Sequence, residues 1–191
     1  MRQLTEALAQ TGHVKIVRWH SRVPVVEPER VTGELASALI APGVTSWVAI
    51  HANHPRELGP DARAALARLA KAGVNLISQT VLLRGVNDDV ETLASLMRAF
   101  VEAGVKPYYL HHPDLARGTS HFRLSIEEGL ALTRALRAKI SGLAQPLYVI
   151  DLPDGTGKVP LDSQNVIKTE RGHRIRDFAG QWHDYPPLHP A

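Results

Sequence analysis

The chain has no cysteine among its 191 residues. That excludes a disulfide, a thiolate nucleophile, a cysteine-ligated zinc and any iron-sulfur cluster held by this chain alone. Net charge is also small, +3 with ten histidines neutral, and part of the excess sits near the end at Lys168, Arg171, Arg174 and Arg176. No stripe of basic and aromatic residues accompanies it, so no nucleic-acid partner is expected. Long apolar runs are missing too: none reaches the roughly 18 residues of a membrane span, and Met1 to Gln10 has no small-residue cleavage site. The expectation is a cytoplasmic protein with no membrane partner. What is present is ordinary globular composition, 44% hydrophobic and 21% charged, enough for one sizeable core.

Short apolar runs recur along the chain at Val14 to Trp19, Trp47 to Ile50, Leu76 to Leu83, Tyr108 to Leu110 and Leu147 to Ile150. Helical patterns separate them: Glu34 to Ile40, Asp61 to Ala72, Val90 to Ala103 and Ile126 to Ile140. The second stops at Gly73 and the third at Gly104, while Ser125 with Glu128 forms a capping-box pattern ahead of the fourth. Strand and helix in alternation predict right-handed βαβ units and a parallel sheet of about five strands. A complete β/α barrel has eight strands and about 250 residues, so a partial TIM-like barrel is expected. After Gln164 the pattern changes to mixed Pro, His, Arg and aromatic residues, which predicts a short C-terminal arm or strand pair. The expected division is therefore 1–163 for the barrel portion and 164–191 for the arm.

Polar side chains gather toward the C-terminal end of each strand: His20 and Arg22, His51 and His54, Gln79 within its strand and Arg84 beyond it, His111 with His112 and Asp114, then Asp151 and Lys158. In parallel α/β proteins ligands bind at that end. The run Asp151-Leu152-Pro153-Asp154-Gly155-Thr156-Gly157-Lys158 is the most informative stretch. A lysine in a glycine-rich loop can grip a phosphate or react with a carbonyl cofactor. The nucleotide pattern G-x-x-x-x-G-K-[ST] would place glycine and a hydroxyl residue where this chain has Leu152 and Val159, so a Walker loop is excluded. Lys158 could equally be a solvated charge, and Asp151 and Asp114 could each cap a turn. Paired across neighbouring strand ends, the two aspartates would instead form a pocket for a cation. A rival set, His51, His54, His111 and Asp114, has the chemistry of a metal-dependent barrel hydrolase, although the His-Ala-Asn-His spacing differs from the His-x-His of such barrels.

Four ordered blocks carry a resemblance: His51-Ala52-Asn53-His54-Pro55-Arg56-Glu57-Leu58; Gln79 to Asp88; Lys106 to His111 with Asp114, Leu115 and Gly118 to Arg123; and Asp151 to Lys158. Together they resemble the lysine 2,3-aminomutase family of radical S-adenosylmethionine enzymes, from about His13 through Pro160 and faintly into the tail at Arg176 to Gly180. The resemblance implies that Lys158 carries pyridoxal phosphate, that Asp114 and Asp151 hold the distal ammonium of substrate lysine, and that His51 and Gln79 lie near S-adenosylmethionine. It implies an isomerase that moves the amino group of L-lysine from C2 to C3 by radical chemistry. The family binds a [4Fe-4S] cluster through Cys-x3-Cys-x2-Cys, and some members bind zinc through further cysteines; this chain has none, so no metal ligand is assigned. The first barrel strands and the cluster loop are thus expected on a missing N-terminal part or a complementing chain, with the isolated fragment inactive and poorly soluble. Homo-oligomerisation is left open, and a cluster-free module binding pyridoxal phosphate or an amine is the alternative within the same pocket.

Overall fold

The structure, a computed structural model, describes residues 1–152 and 156–187. Pro153, Asp154 and Gly155 of the glycine-rich run lie outside the described residues.

Five parallel strands, β1 (Ile16–Ser21), β2 (Thr45–His51), β3 (Asn75–Val81), β4 (Lys106–His111) and β5 (Leu147–Leu152), line up in sequence order in one curled sheet. The helices are α1 (Arg2–Gln10), α2 (Val23–Val26), α3 (Gly33–Ala38), α4 (Pro60–Lys71), α5 (Val90–Glu102) and α6 (Ile126–Lys139). Their boundaries follow local chemistry. Asp89 caps α5 by accepting from Thr92 N at 2.8 Å. The box at α6 closes with Ser125 Oγ accepting from Glu128 N and Glu128 Oε2 accepting from Ser125 N. Gly73 and Gly104 end α4 and α5 at φ +94° and +74°, a region that favours glycine.

One face of the sheet is sealed by the helices. Leu66 and Leu69 of α4, Leu93, Leu96, Met97 and Phe100 of α5 and Leu136 of α6 pack with Ile50, Leu110, Tyr148 and Ile150 into one core. The opposite face is open. Ile16 is 66% exposed there and Leu147 41%, and a groove of about 540 Å³ runs between Ile16, Arg18, Trp47, Ile77, Lys106 and Tyr108. Parallel strands alternate their side chains, so residues two apart at each strand end look into this open face.

Three features differ from the sequence expectation. Lys158 is not in a loop: β6 (Gly157–Pro160) turns back and pairs antiparallel with β5, making a sixth strand. Its four residues bury little beyond Val159, too short an apolar signal to read. The tail forms a three-stranded antiparallel sheet, β7 (Val166–Thr169), β8 (Gly172–Arg176) and β9 (Trp182–Tyr185), where a strand pair was expected. Its Ile175 and Tyr185 are buried in the same core as Leu152 and Leu161. The third is α1, a helix that the sequence reading did not place; Thr5 is its buried residue, and Leu4 stands half exposed.

Candidate active site

Strand register brings the polar residues into a row. His51 on β2 is the register partner of Gln79 on β3, Gln79 of Tyr109 on β4, and Asp151 on β5 of Lys158 on β6. A bulge between Ile77 and Gln79 shifts the β3–β4 register next to Pro107, which has no N–H to give the ladder. With His111 two residues beyond Tyr109, a titratable or amide side chain stands toward the C-terminal end of every strand from β2 to β5, and Lys158, near the start of the antiparallel β6, joins them.

Four of these side chains form a continuous line of hydrogen bonds. Lys158 Nζ donates to Asp151 Oδ1 at 2.6 Å. His111 Nδ1 lies 3.1 Å from Asp151 Oδ2, and His111 Nε2 lies 2.9 Å from Gln79 Nε2. The line fixes the tautomer. A carboxylate only accepts, so Nδ1 carries the proton, and Nε2 then accepts from the Gln79 amide. Burial holds the His111 pKa below the usual histidine value; Asp151 pulls the other way, and the Lys158 charge adds to the lowering. Access is graded along the line: the side chains of Lys158 and Asp151 are 37% and 33% exposed, that of His111 only 8%. The amine and the carboxylate are therefore reachable from the open face, and the imidazole is not.

His51 continues the row. Its ring stands edge-on to His20 at 5.8 Å, and its Nε2 is buried without a hydrogen-bond partner, although Gln79 is a near neighbour. Burial lowers its pKa first, then the charges of His20, His111 and Arg22. A buried nitrogen left unpaired is costly, and the Gln79 side chain, which pulls the His51 pKa back up, is the polar neighbour in place to offset that cost.

The strand ends are held by two asparagines that sequence reading did not single out. Asn87, fully buried, donates from Nδ2 to Asn53 O at 2.8 Å and Val81 O at 2.9 Å and accepts at Oδ1 from Leu83 N at 2.7 Å. Asn53 Oδ1 accepts from Val81 N at 2.9 Å, tying the end of β2 to that of β3. Glu57 Oε1 accepts from the backbone of Asn53 and His54, and its Oε2 takes Arg22 at 2.5 Å. The only sequence signal for these roles is an asparagine in each turn block.

His54 faces its own backbone, accepting at Nδ1 from Arg56 N at 3.2 Å as the cap of a short 3-10 turn. Among the described residues no three His, Asp or Glu groups gather into a metal-binding set. The hydrolase alternative of His51, His54, His111 and Asp114 is thereby corrected: those four residues do not converge, because His54 caps a turn and His111 is committed to Asp151 and Gln79.

Asp114 stands apart from the hydrogen-bonded line. It is exposed, in a loop pinned by Arg123, whose Nε donates to Asp114 O at 3.0 Å and whose Nη2 donates to Ala116 O at 2.6 Å. Its charge still reaches His111, favouring the protonated ring. Behind it, buried His112 lies with Nδ1 2.8 Å from the Tyr148 hydroxyl, and burial holds its pKa down to about 4, with the charges of His173 and Arg123 adding to that.

Fold and site together define a mainly parallel α/β protein with an open-faced row of amine, carboxylate, imidazole and amide at its C-terminal strand ends. No protein-family model matches the chain. It is similar to the L-lysine 2,3-aminomutase of Fusobacterium nucleatum, 41% identical over 182 residues that make up 94% of this chain and 42% of that protein. It is 40% identical to that of Clostridium subterminale over 91% of this chain and 42% of that one, and 40% identical to that of Escherichia coli over 84% and 47%. In sequence the chain belongs to the lysine 2,3-aminomutase family and matches the C-terminal part of those longer proteins. It spans about half the length of the curated relatives it matches. Among solved structures, a radical SAM methyltransferase from Sphaerobacter thermophilus aligns with 65% of this chain and 38% of its own at 20% identity and a TM-score of 0.45, too low to carry an argument.

Proposed function

We propose that this chain is the substrate-binding portion of a lysine 2,3-aminomutase-like isomerase, which moves the amino group of L-lysine from C2 to C3. The sheet is read as part of a β/α barrel formed by residues 1–163, with 164–191 as its arm, working in the cytoplasm. The observation that carries the reading is the contact of Lys158 with Asp151 on the open face. Pyridoxal phosphate fits this site, because Lys158 offers a reachable amine on a short strand; when bound, the cofactor supplies a conjugated ring that stabilises an unpaired electron.

Asp151 has two tasks in this scheme. In the free protein it holds the Lys158 ammonium at Oδ1. A carbonyl group joined to that amine would remove its ammonium from Oδ1, and the same oxygen would then be open to a second ammonium, the distal one of lysine. Asp114, exposed at the same end of the sheet, adds the second negative charge. Gripping the far end of the substrate turns remote binding energy into placement of its β-carbon. S-adenosylmethionine fits the other end of the row, where the unpaired Nε2 of His51 and the side chain of Gln79 offer polar contacts. The iron-sulfur cluster does not fit: the chain has no cysteine to ligate it, and an N-terminal part or a complementing chain would have to supply it. The same absence favours a second reading, a cluster-free module that binds pyridoxal phosphate or an amine with the same residues.

Borohydride trapping tests the site. Protein incubated with pyridoxal phosphate and reduced should carry the pyridoxyl mass on the peptide containing Lys158, and Lys158→Ala should remove it. Label spread over surface lysines, unchanged in the variant, would sink the reading.

A further inference from the structure

His111 stands between two partners of different chemistry. On one side Asp151 accepts from its Nδ1–H, and on the other the Gln79 amide donates to its Nε2. Both ring nitrogens are therefore committed, and the ring side chain is 8% exposed, so solvent does not satisfy it. The neutral ring suits this arrangement only while Asp151 has a second, cationic partner. Lys158 supplies it at Oδ1.

Remove the positive charge of Lys158 and the balance changes. Asp151 is then an anion with one neutral donor, beside an imidazole that can become cationic. Nδ1 already carries a hydrogen, so the added proton has one place to go, Nε2. An Nε2–H cannot face the hydrogens of an amide NH₂. Gln79 would have to turn its amide over and present Oε1 as the acceptor. Other groups facing His111 modulate this without replacing it: Asp114 in the following loop favours the cation, His51 on β2 interacts with it unfavourably when both are charged, and the Tyr109 ring meets it edge-on at 5.6 Å.

We propose that His111 is a positioning residue that couples the charge on Lys158, through Asp151, to the orientation of the Gln79 amide. It extends the function proposed above, because it links the amine that would hold pyridoxal phosphate to the amide that would meet S-adenosylmethionine. Occupation of one end of the row then changes hydrogen bonding at the other, and by linkage the reverse also holds. The coupling depends only on the loss of a positive charge at Lys158, whatever reacts with it.

Nuclear magnetic resonance of the full chain with ¹⁵N-labelled histidine and glutamine tests this, with the His111 signal assigned by its loss in His111→Asn. In the wild type at neutral pH His111 should be the Nδ1–H tautomer. In Lys158→Met, and independently in Lys158→Gln, its protonation midpoint should rise by about one to two pH units, and the Gln79 side-chain amide signals should move with it. Lys158→Arg, which keeps the charge, should resemble the wild type, and Asp151→Asn added to Lys158→Met should cancel the rise. An Nε2–H tautomer in the wild type, or equal midpoints in wild type and both neutral variants, would overturn the coupling. If pyridoxal phosphate fails to label Lys158 while these shifts appear, the proposed cofactor role fails and the coupling stands.

Discussion

Lys158 and Asp151 are register partners across the antiparallel β5–β6 pair and also a hydrogen-bonded ion pair, Nζ to Oδ1 at 2.6 Å. Cross-strand pairs of opposite charge contribute only about 0.2–1 kcal/mol to a sheet, and both side chains here are about one-third exposed. The pair is thus a minor contributor to stability. Its consequence is chemical: it holds an amine at the open face with its reactive end fixed.

Lys158→Met should therefore lower stability by less than about 1 kcal/mol in urea unfolding while removing borohydride-trappable pyridoxal phosphate entirely. A loss several times larger, with the label retained elsewhere, would make this lysine structural.

Asp151→Asn keeps the shape of the side chain and removes its charge. In protein loaded with pyridoxal phosphate, calorimetry should show lysine binding weakened about 10- to 100-fold, the range for a hydrogen bond to a charged group. Norleucine lacks the distal ammonium, and its binding should not change. Equal weakening of both ligands would mean that Asp151 acts on the cofactor end and not on the substrate's far end.

The five parallel strands were legible because each is an apolar run bounded by turn residues, and the box at Ser125 and Glu128 was legible because both partners lie within one turn. The sixth strand was not, since Gly157-Lys158-Val159-Pro160 has one fully buried apolar residue. That miss has a direct cost at the site. Asp151 and Lys158 were readable as residues, but their contact depends on a chain reversal that brings residues seven apart face to face. His111 illustrates the same limit: its type suggested a metal ligand, and only the three-dimensional row shows it donating to Asp151 and accepting from Gln79. Asn87 gave no pattern either, because a buried asparagine that joins two turns differs in no way from an exposed one in sequence.

Gly129 is the fourth residue of α6, where alanine would ordinarily stabilise a helix by about 0.5–1 kcal/mol. Here a Cβ would collide with the Tyr148 hydroxyl, the partner of His112. Overpacking costs about 1–3 kcal/mol, and displacing the tyrosine leaves buried His112 unpaired for a comparable further amount. The clash outweighs the propensity, so Gly129→Ala should destabilise the protein by about 2 kcal/mol or more in chemical denaturation. Gly129→Ala should cost less in a Tyr148→Phe background than in the wild type, because the colliding oxygen and its bond to His112 are already gone there.

His112 sets the pH behaviour of the fold. Its pKa is held down to about 4 by burial in the folded protein, against an ordinary value of 6.5. Between those two values the unfolded chain binds a proton that the folded one refuses, so stability must rise with pH across the window and be lost as pH falls through it. The ceiling for this one group is about 3 kcal/mol, and His111 and His51, also lowered by burial, act in the same direction. Glu127 is lowered to about 2 by its own helix-terminal backbone and by Lys168, so its contribution is lost only below its ordinary value of 4.5, at lower pH than most of the histidine window. Unfolding free energy measured in urea from pH 7.5 to 4.0 should therefore begin to fall near 6.5, well before carboxylates protonate. His112→Gln, which keeps an acceptor for Tyr148 but cannot take a proton, should flatten that fall while leaving any drop below pH 4.5 in place. An unchanged slope in His112→Gln would assign the dependence to other groups.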